Sequence, residues 1–162
     1  MKYFKIFEEY YKKNIPTELY HTSNFLFDKF ELKSGYRTHL VSSEKVDSYA
    51  IYLTDGLSAS KEYGENYTYV CEINCNRVLD WSSYIDDRSY SWITSNFGEI
   101  IPHNSDEYWT LLDDKRVIDY LNNRGIDCVV FTEFSEATND TFTAYAVFNP
   151  NNIKIINVIK ID

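Results

Sequence analysis

Positive charge is in short supply in this chain: 16 Lys and Arg stand against 25 Asp and Glu, giving a net charge of −9 and a pI of about 4.8. No basic cluster is longer than a pair such as Lys12-Lys13, whereas proteins that neutralise nucleic-acid backbones carry basic stripes or patches. Nucleic acid is therefore disfavoured as a macromolecular partner. Cysteine is also scarce, with only Cys71, Cys75 and Cys128. An odd number with no dense spacing pattern argues against a disulfide framework and points to a reducing compartment, the cytoplasm. Five Gly and three Pro leave no room for long flexible linkers. No apolar run approaches the roughly 20 residues that a membrane span needs. The charged N-terminal run, residues 1–14, has no uninterrupted apolar stretch or small-residue cleavage site, so no signal peptide is expected.

Motifs for other chemistries are missing as well. His21, His39 and His103 are the only histidines and none has the close His or Cys neighbours of a zinc site, so no metal is expected. Asp86-Asp87 and Asp113-Asp114 lack the calcium-loop spacing, and no glycine-rich dinucleotide or P-loop motif occurs. Cys71 and Cys75 are read as sharing one face of a strand, and Cys128 as an inert thiol inside an apolar one.

What is abundant is aromatic: 17% of residues, including 15 Tyr, within 162 residues that suit one domain. Tyr3, Phe4, Phe7, Tyr10 and Tyr11 are spaced for one face of an N-terminal helix over residues 1–14, packed on the domain and ended by Pro16. Leu19–Ser23 reads as a strand, as do Tyr49–Thr54, Tyr67–Ile73, Val129–Phe131, Thr143–Phe148 and Ile153–Ile161. Leu57–Gly64 reads as a short helix with Ser58 or Asp55 as cap, and Leu111–Asn122 as one helix stopped by Gly125. Arg77–Trp81 is read as chain leaving a strand, and residues 82–107 receive no element. Short strands with few intervening helices indicate α+β.

One group of residues has the types a flat, charged ligand needs. Tyr52 ends a strand, and Ser60 and Tyr63 lie three apart on the next helix, hence on one face. Two phenol rings can flank an aromatic group, a contact worth about 1–3 kcal/mol per base in single-stranded nucleic-acid sites, while a serine hydroxyl can bond a carboxamide. The same residues also read as ordinary core and cap.

His21-Thr22-Ser23 after Leu19-Tyr20, followed by Ile51–Thr54 with Ser60 and Tyr63 eight and eleven residues beyond Tyr52, resembles the ADP-ribosyltransferase superfamily. The likeness is to the His-Tyr-Glu branch of poly-ADP-ribose polymerases and diphtheria-toxin-like enzymes. Thr143-Ala144-Tyr145 is similar to a late strand of small phage-encoded members, including an anti-CRISPR ADP-ribosyltransferase. The resemblance implies a split mixed β-sheet with NAD⁺, the substrate, in the cleft between its halves. It further implies that His21 bonds the adenosine-side ribose, that the Thr22 backbone and Ser60 bond the nicotinamide carboxamide, and that Tyr52 and Tyr63 sandwich the ring, with Ser23 in the same motif.

The sequence departs from that pattern at the carboxylate, because the position of the family's late-strand Glu is Ala144. In the small phage enzymes an acid follows an earlier strand, and the matching position here is Glu133, with Glu136 and Asp140 in reserve. Arg37 is a candidate for the pyrophosphate. The implied activity is mono-ADP-ribosyl transfer to a protein acceptor by a phage or bacterial effector acting in the host cytoplasm. The stretch from Trp81 to Trp109, with aromatics that look exposed, is a candidate acceptor surface. The alternatives are an NAD⁺ glycohydrolase toxin and an inactive NAD⁺- or protein-binding module.

Overall fold

The computed structural model describes residues 14–32, 34–36, 45–47, 49–98, 102, 107–136 and 138–162. The N-terminal helix expected over residues 1–14 falls almost wholly outside them, as does Arg37. The described chain is α+β. A mixed seven-stranded sheet is built from β1 (Leu19–Ser23), β4 (Ile51–Thr54), β5 (Tyr67–Ile73), β6 (Val78–Asp80), β7 (Cys128–Ser135), β8 (Asp140–Val147) and β9 (Ile153–Lys160). Their order is β6-β7-β8-β4-β1-β5-β9, and β2 (Ser34–Tyr36) pairs with β3 (Lys45–Asp47) separately. The β6–β7 pair is parallel and all the others are antiparallel.

The sheet is nearly divided in the middle. β7 and β8 pair over eight registered positions and β1 and β5 over five, but β1 meets β4 at the single pair Tyr20↔Thr54. A four-stranded half and a three-stranded half therefore meet at a seam with β1 on one side and β4 on the other. Side chains alternate across each strand, so the two faces bury separate clusters. Leu79, Val129, Phe131, Ala144 and Ala146 face the helices, while Leu53, Val130, Tyr145 and Val147 face Leu19, Tyr69 and Cys71.

Three helices cover the first face: α1 (Asp87–Phe97), α2 (Trp109–Leu112) and α3 (Lys115–Asn123). The single helix expected over Leu111–Asn122 is thus two. Asp114 leaves helical geometry at φ −94°, ψ 117°, and its carboxylate accepts the Arg116 N–H, restarting the chain as α3. Gly125 ends α3 at φ +74°, a conformation that glycine adopts without cost.

α1 lies in the stretch left unassigned from sequence. Its N-cap Asp86 accepts the Ser89 N–H at 3.0 Å and the indole N–H of the fully buried Trp81 at 3.0 Å. Arg124 donates to Ser89 Oγ at 2.6 Å and pairs with Asp86 at 3.4 Å, both of its partners being buried. Trp81 and Tyr108 are consequently core rather than exposed contact residues, and among the described residues of that stretch the large exposed aromatics are Tyr84 and Tyr90. Val78–Asp80, read as departing chain, is the parallel strand beside Cys128–Val130.

The thiols sit differently from expectation too. Cys75 lies beyond the end of β5 rather than on the same strand face as Cys71. Burial pushes the Cys71 thiol up to about 12 and the Cys128 thiol well above its usual value, so neither is a nucleophile at neutral pH. Among the described residues no helix is long and apolar enough to cross a membrane, and no cluster of His, Cys, Asp and Glu is arranged to hold a metal.

Candidate functional site at the sheet seam

Beyond the registered pair Tyr20↔Thr54, where β1 and β4 part, a side chain of β1 reaches the Tyr52 carbonyl. His21 Nδ1 lies 2.8 Å from Tyr52 O. A carbonyl only accepts, so Nδ1 carries the proton and Nε2 presents a lone pair. Burial holds the imidazole below its usual pKa, against the smaller opposing effect of the Tyr52 bond. His21 is therefore neutral near pH 7, a hydrogen-bond acceptor at Nε2 and suited to a hydroxyl.

Aromatic rings surround that imidazole. Tyr63 stacks on it at 5.5 Å with 16° between the planes, and Phe30 meets it edge-on at 5.3 Å. Phe30 belongs to the 24–32 loop, which the stack of Phe27 on Tyr69 at 4.0 Å fastens to β5. The Tyr69 hydroxyl accepts the Phe27 N–H and donates to Phe25 O, completing the attachment. A cavity of about 510 Å³, within the range of small-ligand sites, is lined by His21, Ser23, Tyr52, Phe25, Leu26 and Phe30 among others. Its apolar rim includes Phe25 and Leu26, which are 75% and 66% exposed.

The Leu57–Gly64 segment folds as a 3₁₀ helix, Ala59–Tyr63, one turn shorter than expected, and neither Ser58 nor Asp55 caps it. Asp55 instead faces the Thr143 N–H at 3.4 Å. In a 3₁₀ helix residues three apart eclipse one another, and Ser60 and Tyr63 both turn towards β1. Ser60 is completely buried there. It donates to Leu57 O at 2.6 Å, so Thr22, 2.7 Å away, must donate to Ser60, and Thr68 at 2.9 Å to Thr22. The single Ser60 proton is committed within the protein, and contact with a carboxamide would require giving up Leu57. Thr22 sits in register with Thr68 in the sheet, and Ser23 Oγ accepts the Phe25 N–H at the turn.

Tyr63 completes the seam. Its ring also meets Phe142 edge-on at 6.4 Å, and its hydroxyl donates to Glu133 Oε2 at 3.0 Å across 70 positions of sequence. Burial first and Glu133 second push the phenol well above its usual pKa, which keeps it a donor. Glu133 is half-buried on β7, opposite Phe142 of β8. The parallel neighbour of Tyr63 is thus His21, while Tyr52 packs edge-on against Phe131 at 6.1 Å. Neither Tyr63, Ser60 nor Glu133 is in the cavity lining.

The reserve acids lie elsewhere. Glu136 is exposed, and Asp140 is not in a loop but starts β8, where its carboxylate accepts the Thr141 N–H. Ala144 is fully buried in β8, paired with Thr54 and Phe131. The His21–Tyr52 bridge over the seam and the close approach of Gly64 to β1 both escape sequence reasoning. The second carries a signal, a glycine directly after a motif tyrosine; the first carries none.

A pH dependence follows from the neutral imidazole. The folded pKa of His21 lies below the unfolded value of about 6.5, so the unfolded chain binds more protons as pH falls. The stabilisation is complete above that unfolded value and is lost as pH drops through and below it. Thermal unfolding midpoints should decline from neutral to mildly acidic pH, and His21→Gln, whose amide can still reach Tyr52 O, should flatten the slope. Parallel pH profiles for the two proteins would remove His21 as the source. No family model, curated protein or solved structure matches this chain.

Proposed function

We propose that this protein binds NAD⁺ and transfers its ADP-ribose to a macromolecular acceptor, with Glu133 as the catalytic carboxylate. The observation that carries this reading is the hydrogen bond between Tyr63 and Glu133 at 3.0 Å, beside a His21 that stacks on Tyr63. Three residues singled out from separate parts of the sequence meet through Tyr63, whose ring stacks on His21 of β1 and whose hydroxyl reaches Glu133 of β7. A neutral histidine acceptor and an aromatic-walled cavity suit the ligand, and Glu133, outside the cavity lining, is linked to that cavity through Tyr63 stacked on His21.

In that chemistry the glycosidic bond between nicotinamide and ribose C1′ breaks, and its electron pair leaves on the nicotinamide nitrogen. The ribose acquires oxocarbenium character, which a nearby carboxylate stabilises electrostatically. An acceptor nucleophile then bonds C1′ and loses its proton, giving ADP-ribosylated acceptor, nicotinamide and H⁺. Tyr52 and Phe30 provide apolar walls for the flat ring and its ribose, and His21 Nε2 an acceptor for a ribose hydroxyl.

The test is incubation of the purified protein with NAD⁺ labelled in the adenylate, in the presence of bacterial lysates. Transfer of label to a discrete macromolecule, with stoichiometric nicotinamide release, is the expected outcome. Release without any acceptor would make water the acceptor and the protein a glycohydrolase. Neither labelling nor release in several lysates would overturn the reading.

A further inference from the structure

We propose that Tyr63 is a positioning residue, whose hydroxyl holds the Glu133 carboxylate in its working orientation, a role separate from any contact of its ring with a ligand. The inference rests on the ADP-ribosyl-transfer reading and deepens it. A glutamate side chain has three rotatable bonds and wanders unless something selects one arrangement. Here the selecting donor is immobilised on three sides. The Tyr63 ring is stacked on His21 and met edge-on by Phe142, and the 3₁₀ helix that carries it has a second tether to the same strand. Ser135 Oγ, two residues beyond Glu133 and fully buried, donates to Glu62 Oε1 at 2.6 Å and accepts the Thr138 N–H at 3.2 Å. Residues 133 and 135 share a strand face, so the helix grips β7 at two successive positions on one side.

Around this contact stand Glu62 on the same 3₁₀ helix, Tyr52 on β4 and Glu133 itself on β7, with the neutral His21 imidazole stacked on the ring. Burial first, and then Glu133, Tyr52 and Glu62, disfavour a phenolate, so the hydroxyl remains protonated. A donor to a carboxylate stabilises its ionised form, the form needed beside a developing positive ribose.

Tyr63→Phe tests this, since it keeps the ring and both aromatic contacts and removes only the hydroxyl. Loss of one hydrogen bond to a charged group corresponds to a fall in kcat for nicotinamide release of about ten- to a hundredfold. KM should stay within about twofold, because the ring stays in place. In protein labelled with ¹³C-glutamate, the Glu133 carboxyl, assigned by its absence from Glu133→Gln, should titrate at higher pH in Tyr63→Phe than in the wild type. An unchanged kcat or an unchanged Glu133 titration overturns the proposal. If the wild-type protein releases no nicotinamide, the functional reading fails, and the titration alone still decides whether Tyr63 holds Glu133.

Discussion

Glu133→Gln should leave NAD⁺ binding within about threefold of the wild type while lowering the rate of nicotinamide release by about 10²–10³-fold, the usual cost of removing one preorganised electrostatic partner from a transition state. The substitution separates shape from charge. Gln has the same length, and its amide oxygen can still accept from the Tyr63 hydroxyl 3.0 Å away, so the seam keeps its geometry. Only the negative charge is lost, and that charge matters most when the ribose becomes cationic. Calorimetric titration with NAD⁺ and a nicotinamide-release assay on the same preparation give the two numbers. Full activity in the variant would move the catalytic role to Glu136 or Asp140, of which only the first is on an exposed turn beyond β7. Loss of binding and release together would make Glu133 a structural acceptor for Tyr63.

Much of this site was legible before any coordinates because its parts lie on elements with strong local patterns. The alternation of Tyr67–Ile73 and the short run Leu19–Ser23 correspond to β5 and β1 with the same bounds. Glu133 was singled out only through the resemblance, as an acid following an apolar strand, and it lies within β7 rather than after it. Other parts were not legible because they depend on distant neighbours. Tyr63 and Glu133 are 70 residues apart, and neither carries a local mark of the other. α1 was missed because its buried positions, Ser89 and Ile93, are too few and too polar for an apolar stripe, although Asp86 three residues before Ser89 is a fair capping signal. The three-residue β6 exists because of its parallel partner β7 and has no period of its own. Ser60 shows a different limit. Spacing puts it on the right face, but only coordinates show that its proton is already committed to Leu57.

Gly64→Ala should be the most damaging small substitution in the site, costing about 3 kcal/mol, the upper end of what overpacking does. That corresponds to roughly 6–12 °C in thermal midpoint for a chain of this size. In sequence Gly64 reads as the last residue of a short helix, and its φ of 171° is extended backbone open to any residue. The reason for glycine is close approach. A Cβ at this position would lie 2.6 Å from Ser23 Cα, 2.7 Å from Ser23 C and 2.7 Å from Thr22 O. These are backbone atoms of β1, so no rotamer change relieves the clash, and the next residues are tied down as well. Glu65 N–H is bonded to Asn24 Oδ1 at 2.9 Å and Asn66 N–H to Ser23 O at 3.2 Å. Carbon atoms in ordinary contact sit about 3.5–4.0 Å apart, so the chain at residue 64 has to withdraw from β1. Tyr63 is the adjacent residue and moves with it, away from His21 and from Glu133 together. The variant is therefore expected to lose nicotinamide release and NAD⁺ affinity at temperatures well below its own unfolding transition, where Glu133→Gln loses only the first. A wild-type unfolding midpoint would show that β1 yields easily. A lowered midpoint with NAD⁺ affinity intact would show that the Tyr63–His21 stack is not part of the binding site.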